Sequence, residues 1–176
     1  KYTHFLDLCD TFNLPLLIFL DMPGFMLGSH AERIATMRRG ARALIASAEC
    51  QVPKIEFMVR KSYGVAADAP NSIGLPNSIN LRFGWPSGEW GGIPIEGGVA
   101  AAYRREIAEA DDPDAHRAEI EDRLLRLRSP FRAAHRGDVV DLIDPRETRA
   151  LACRFINLAQ PKLAELAQRS KRAVRP

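Results

Sequence analysis

Apolar residues at Phe5, Leu6, Leu8, Cys9 and Phe12 recur at helical spacing and predict an amphipathic helix that Asn13 and Pro15 stop. Leu16 to Leu20 is an unbroken apolar run between turn formers, the pattern of a strand covered on both faces. Asp21-Met22-Pro23-Gly24 closes it in a tight turn, and a loop continues through Gly28 and Ser29. The next helix is predicted over Ala31 to Ala48, with Ile34, Met37, Ala41, Leu44, Ile45 and Ala48 on its apolar side. Val52-Pro53 leads into a second buried strand, Lys54 to Val59. After Tyr63-Gly64 the small residues Val65 to Ala69 read as a turn entering a short helix.

This alternation of strand and helix predicts a parallel sheet with helices on its faces, and ligands bound at the carboxyl ends of its strands. A third strand is expected over Leu81 to Trp85, followed by a glycine-rich stretch at Gly88, Gly91, Gly92, Gly97 and Gly98. From Val99 the chain turns helical and charged through Arg128, with a break at Asp112-Pro113. Val139 to Ile143 suits one more short strand. Asp144-Pro145 pairs an N-cap with proline at the first helical position and opens a helix to about Gln160. At this length residues 1–176 are expected to form one domain or one substantial half of a larger one, with a βα core at 1–100 and a charged helical extension at 101–176.

At 176 residues, 46 % hydrophobic and 27 % charged, the chain can build a real core, which excludes disorder, collagen and a disulfide scaffold. Its longest apolar run, Leu14 to Leu20, is far short of the roughly 20 residues a bilayer requires, so no membrane partner is expected. A net charge of +3 without a basic stripe gives no case for nucleic acid. Arg169, Lys171, Arg172 and Arg175 crowd the last eight residues, as a solvated tail or a phosphate contact. Cys9, Cys50 and Cys153 all lie within apolar helical patterns and are expected as reduced core residues. No CxxC pair or Cys/His cluster suggests a metal. Neither an initiator Met nor a signal-peptide pattern is present, and a cytoplasmic, reducing compartment is expected.

The usual side-chain catalysts are sparse where a ligand should bind. Of His4, His30, His116 and His135, only His30 follows a predicted strand, and no GxSxG elbow exists. The carboxylates of Glu106 to Asp114 and Glu119 to Asp122 read as a solvated helix face. Backbone remains. Gly64-Val65-Ala66-Ala67 follows a buried strand with nothing bulky beyond Val65, so a ligand could reach main-chain N–H groups there. A purely structural turn has the same spacing.

Asp21-Met22-Pro23-Gly24-Phe25, Val52-Pro53-Lys54, Arg60-Lys61-Ser62-Tyr63-Gly64 and Phe83-Gly84-Trp85-Pro86-Ser87-Gly88-Glu89 occur in order. Glu96-Gly97-Gly98-Val99 and Asp141-Leu142-Ile143-Asp144-Pro145-Arg146-Glu147-Thr148-Arg149 continue the set. Together these resemble the carboxyltransferase component of the biotin-dependent acyl-CoA carboxylases, over about Phe5 to Arg149. The resemblance implies an α/β, crotonase-like (ClpP/crotonase) fold of ββα superhelix type, of which this chain matches the second, biotin-binding half with additional C-terminal helices. It also implies an N-terminal half as complement, and sites formed where halves of different subunits meet in a homo- or hetero-oligomer, a hexamer in the family. Biotin would arrive on a biotin carboxyl carrier protein charged by biotin carboxylase. It is not attached to this chain, which has no Met-Lys-Met acceptor. The substrate would be an acyl-CoA.

The implied chemistry is carboxyl transfer from carboxybiotin to the acyl α-carbon, with two oxyanion holes and little call for side-chain acids or bases. Carried over by motif, the N–H groups of Val65 and Ala66 form the biotin-side hole, and Tyr63 and Gly64 shape its entry. Asp68 matches a position that influences acyl choice, and Pro23, Gly24 and Phe25 match a loop beside the biotin pocket. Many relatives carry glycine where this chain has Val65, so a positive φ there would strain the branched side chain. Pro70 should shorten the helix that follows. A non-catalytic homologue retained for assembly and a biotin-dependent acyl-CoA decarboxylase subunit are the alternatives; a hydratase lacks its carboxylates here.

Overall fold

A computed structural model describes residues 1–70 and 79–168, so the basic tail lies outside the described residues. In chain order the elements are α1 (Tyr2–Phe12), β1 (Leu16–Met22), α2 (Ser29–Arg33), α3 (Thr36–Glu49), β2 (Lys54–Tyr63) and α4 (Gly64–Asp68). They continue with β3 (Asn80–Gly84), β4 (Glu89–Gly91), α5 (Gly98–Ala102), α6 (Arg104–Ala108), α7 (Pro113–Leu127) and α8 (Pro130–Arg136). The short strand β5 (Asp141–Leu142), a 3-10 turn (Pro145–Glu147) and α9 (Thr148–Ala167) complete them. Every strand pairing is parallel. The sheet runs β1-β2-β3-β5, with β4 also on β2.

β2 organises the molecule. Its first half pairs with β3, as in Glu56 opposite Arg82, and its second half pairs with β4, as in Tyr63 opposite Gly91. Lys54, Ile55, Glu56, Phe57 and Met58 are all buried, as a strand covered on both faces must be. One face of the sheet meets α9: Ile55, Phe57 and Phe83 pack with Ala152 and Phe155. On the other, Leu16 packs with Leu6 and Cys9 of α1 and Ala46 of α3.

Several expectations hold because local chemistry settles them. Asn13 ends α1 in the left-handed conformation its short side chain tolerates, at φ 55°. The Asp112 carboxylate caps α7 by accepting from the N–H of Ala115. Asp144 and Glu147 form a reciprocal capping box before α9.

Others fail on tertiary grounds. β1 is an edge strand whose α9-side face is bare: Leu17 and Phe19 are exposed, against the expectation of cover on both faces. The helix expected over Ala31 to Ala48 is two helices, parted where Ala35 turns to φ 56°. Its predicted apolar face is turned outward, with Met37 and Ile45 exposed, whereas Gly40, Ala46 and Ser47 are buried. Gly40 faces Phe25, and a Cβ there would lie 2.5 Å from the ring. Small residues, not large ones, mark the packed side of α3. Cys153 is exposed, unlike Cys9 and Cys50. Strand β4 and helix α8 lack a clear pattern in the sequence. Helix α9 passes Pro161 and continues to Ala167, because Leu166 is buried against Leu6 and Cys9 and its packing outweighs the lost helical hydrogen bond.

Candidate functional site

The site begins where β2 hands over to α4. Tyr63 ends the strand in extended conformation and Gly64 opens the helix at φ +62°, in the left-handed region. A Cβ on Gly64 would stand 3.1 Å from the carbonyl oxygen of Gly92, so both the dihedral and the space select glycine. Val65 carries no such burden. Among the described residues only Asn13 and Ala35 combine a side chain with positive φ, and Val65 sits inside α4. The strain expected at Val65 therefore falls on its neighbour, which is glycine.

No side chain caps α4. Helix geometry leaves the N–H groups of Gly64, Val65 and Ala66 without an intrahelical acceptor. The far end of the segment is anchored from the core. The Pro70 carbonyl accepts from Tyr2 Oη at 3.1 Å and from Ser47 Oγ at 3.1 Å. Lys54 Nζ in turn donates to Ser47 O at 2.7 Å and to Ser47 Oγ at 3.2 Å. Ser47 and Lys54 are fully buried, and desolvation pulls the Lys54 ammonium below the usual lysine range. Helix α4 ends at Asp68, as short as Pro70 implies.

A cleft of about 910 Å³ opens beside α4, lined by Tyr63, Gly64, Val65 and Asp68 together with Tyr103 and Arg128 among others. It lies at the carboxyl end of β2, where an open parallel sheet binds ligands. Gly91 lets β4 approach, since a Cβ there would lie 2.8 Å from the Tyr63 ring. Tyr63 Oη donates to Glu89 Oε2 at 3.0 Å, and Arg128 Nη1 donates to the same oxygen at 3.3 Å. Burial, then the hydrogen bond to the Glu89 carboxylate, pushes the Tyr63 phenol up to about 12.

That raised value has a pH consequence. An unfolded tyrosine ionises near 10, so the native state holds the Tyr63 proton longer than the unfolded chain does. Its contribution is whole below about pH 10 and is lost as the pH rises to about 12. Urea unfolding across this range should show stability falling, and the decline should be shallower in Tyr63→Phe. An equal slope in both proteins would contradict the assignment.

Of the residues expected from sequence, Tyr63, Gly64, Val65 and Asp68 meet at the cleft, while Ala66 is buried in α4 beneath it. Pro23, Gly24 and Phe25 lie outside the lining. Gly24 instead stands behind the strand end, where a Cβ would be 3.8 Å from the Tyr63 carbonyl oxygen. Sequence reasoning missed Arg82, Trp90, Tyr103, Leu124 and Arg128, which β3, β4, α5, α7 and their flanks bring to the cleft. The Gly91-Gly92 pair was the available signal, but only the strand pairing reveals what approaches there. Among the described residues no helix is long and apolar enough to cross a membrane, and no three His, Cys, Asp or Glu side chains gather as metal ligands would.

A family model described as the carboxyl transferase domain matches residues 1–174. The propionyl-CoA carboxylase carboxyltransferase subunit of Haloferax mediterranei is 41 % identical over 150 residues, covering 85 % of this chain and 29 % of that protein. The biotin-dependent acetyl-/propionyl-coenzyme A carboxylase beta5 subunit of Mycobacterium leprae is 34 % identical over 171 residues, covering 94 % and 31 %. The solved transcarboxylase 12S hexamer with methylmalonyl-coenzyme A superposes with a TM-score of 0.74 at 36 % identity, over 100 % of this chain and 32 % of that one. The chain thus spans less than a third of the length of these relatives. With its parallel α/β sheet, the open turn at Gly64 and this match along nearly its whole length, the chain belongs to the carboxyl transferase domain family and has the crotonase-like fold of its carboxyltransferases.

Proposed function

We propose that this chain supplies the biotin-side oxyanion site for carboxyl transfer from carboxybiotin to the α-carbon of an acyl-CoA. The observation that carries the reading is the uncapped start of α4, opening on the cleft through glycine. It suits the ureido oxygen of biotin: the first N–H groups of α4 have no intrahelical acceptor and no side-chain cap, and Gly64, Gly91 and Gly92 line the cleft with bare backbone. Biotin, delivered by a biotin carboxyl carrier protein that biotin carboxylase charges, supplies the activated carboxyl group when bound. The chain's own contribution is electrostatic and geometric. The N–H groups of Val65 and Ala66 receive the oxygen on which charge develops, and they are in place before the reaction because Tyr63 is held by β4 and Glu89 at one end and the Pro70 carbonyl is hydrogen-bonded at the other. Tyr63, tied to Glu89, forms the entry wall, and Asp68 stands in the cleft as the determinant of acyl choice. The acyl-CoA would be held mainly by a complementary N-terminal half, in an oligomer of the kind its relatives form.

The test is carboxyl transfer from malonyl-CoA or methylmalonyl-CoA to free biotin, with the complementary half present. Transfer that stops when the α4 start is disrupted supports the reading, and an assembled but inactive enzyme overturns it. Val65→Gly adds a sharper prediction. Because Val65 is unstrained in α4, glycine should not raise kcat, and stability should fall by about 1 kcal/mol or less. A tenfold gain in kcat would show that the valine misaligns the site.

A further inference from the structure

We infer that Arg82 is the positioning residue that sets where the Asp68 carboxylate stands in the cleft, and thereby shapes which acyl-CoA the site accepts. This rests on the reading of Asp68 given above. Arg82 lies on β3 directly opposite Glu56 on β2. Its side chain is 8 % exposed and that of Glu56 is fully buried, whereas the Asp68 side chain is 71 % exposed. The guanidinium spans the two. Nη2 lies 3.6 Å from Glu56 Oε2 and Nη1 lies 3.8 Å from Asp68 Oδ1.

The asymmetry of burial assigns the roles. A guanidinium cannot shed its proton, so one placed in the interior needs a carboxylate, and the buried Glu56 meets that need. With Nη2 toward Glu56, the rigid planar fork presents Nη1 to Asp68. Gly64 and Asp68 are four apart in α4 and share a helix face, and both line the cleft. Arg82 and Asp68 therefore meet in the cleft wall, with the carboxylate at the end of α4 on the exposed side of the pair. A lysine at 82 could balance Glu56, but as a single point charge it could not also orient Asp68.

The experiment compares parent, Arg82→Lys, Asp68→Ala and the double variant in the assembled carboxyltransferase that carries this chain. The readout is the ratio of kcat/KM for methylmalonyl-CoA and malonyl-CoA in transfer to free biotin. Arg82→Lys should shift that ratio about threefold, in the direction of Asp68→Ala, because Asp68 is largely solvated. In the Asp68→Ala background Arg82→Lys should shift it no further. A persisting effect in that background, or none in the parent when Asp68→Ala has one, overturns the inference and leaves the reading of Asp68 intact. A ratio unmoved by Asp68→Ala removes the reading of Asp68 and the inference with it. A crystal structure of Arg82→Lys gives a readout free of turnover: the Asp68 carboxylate should leave its place, and an unmoved carboxylate overturns the inference. If Arg82→Lys fails to fold, E56Q/R82Q removes the buried charges together and should give the same ratio and displacement.

Discussion

Gly64→Ala should leave a folded chain that transfers carboxyl groups about 10² to 10³ times more slowly, the loss expected when an oxyanion donor is misplaced. Two effects act together. Holding an L-residue in the left-handed region costs about 1–2 kcal/mol, and the new Cβ would crowd the Gly92 carbonyl at 3.1 Å. The chain can relieve both by rotating the peptide between Tyr63 and residue 64, which swings the first N–H groups of α4 away from the cleft. Unfolding stability should drop by about 1–3 kcal/mol. Urea denaturation together with steady-state transfer separates the two consequences. Activity within threefold of the parent would mean that the start of α4 does not contact the reacting group.

Phe57→Ala is expected to cost about 3–5 kcal/mol, the largest stability effect of any single change considered. Phe57 is fully buried on the central strand, stacked between Phe19 at 5.5 Å and Phe83 at 6.0 Å between ring centroids. It also packs on the α9 layer, so its removal leaves a cavity that the strand cannot collapse into. Phe19→Ala removes the same kind of ring from the same stack, yet Phe19 is 58 % exposed. Less area returns to water and no cavity forms, so its cost should stay below about 1.5 kcal/mol. Thermal and urea unfolding of the two variants measure the difference. Equal losses would mean that the stack, rather than burial under α9, holds Phe57.

The contrast between these two phenylalanines also explains which readings of the chain succeeded. Phe19 belongs to an unbroken apolar run and Phe57 to an apolar stretch broken by Glu56, and both suggest covered strands. One lies at the sheet centre and the other on an edge whose face α9 does not reach. The same holds for Met37 and Ile45, apolar at helical spacing and yet exposed, while Gly40 and Ser47 turn inward. Hydrophobic periodicity reports that a face is apolar, not which element covers it.

The candidate site divides in the same way. The Tyr63-Gly64 turn, the short helix after it and the family were legible, because each depends on residues adjacent in the chain or on motifs in a set order. Arg82, Trp90 and Arg128 were not, because they reach the cleft only through pairing across β2 and the packing of later helices. Even the position of strain was displaced by one residue. Sequence similarity drew attention to Val65, but the dihedral demand rests on Gly64.

Interactions that span a few residues are written into the chain itself: the left-handed stop at Asn13, the cap at Asp112, the box at Asp144 and Glu147, and the glycine that turns β2 into α4. Their partners are a few positions away, and backbone sterics and hydrogen bonding choose them. Which apolar faces are covered, which small residues admit a neighbour, and how Arg82 comes to stand between a buried Glu56 and an exposed Asp68 depend on segments far apart in sequence. Those contacts exist only once the sheet has formed, because strand register places Arg82 opposite Glu56 and Gly91 opposite Tyr63.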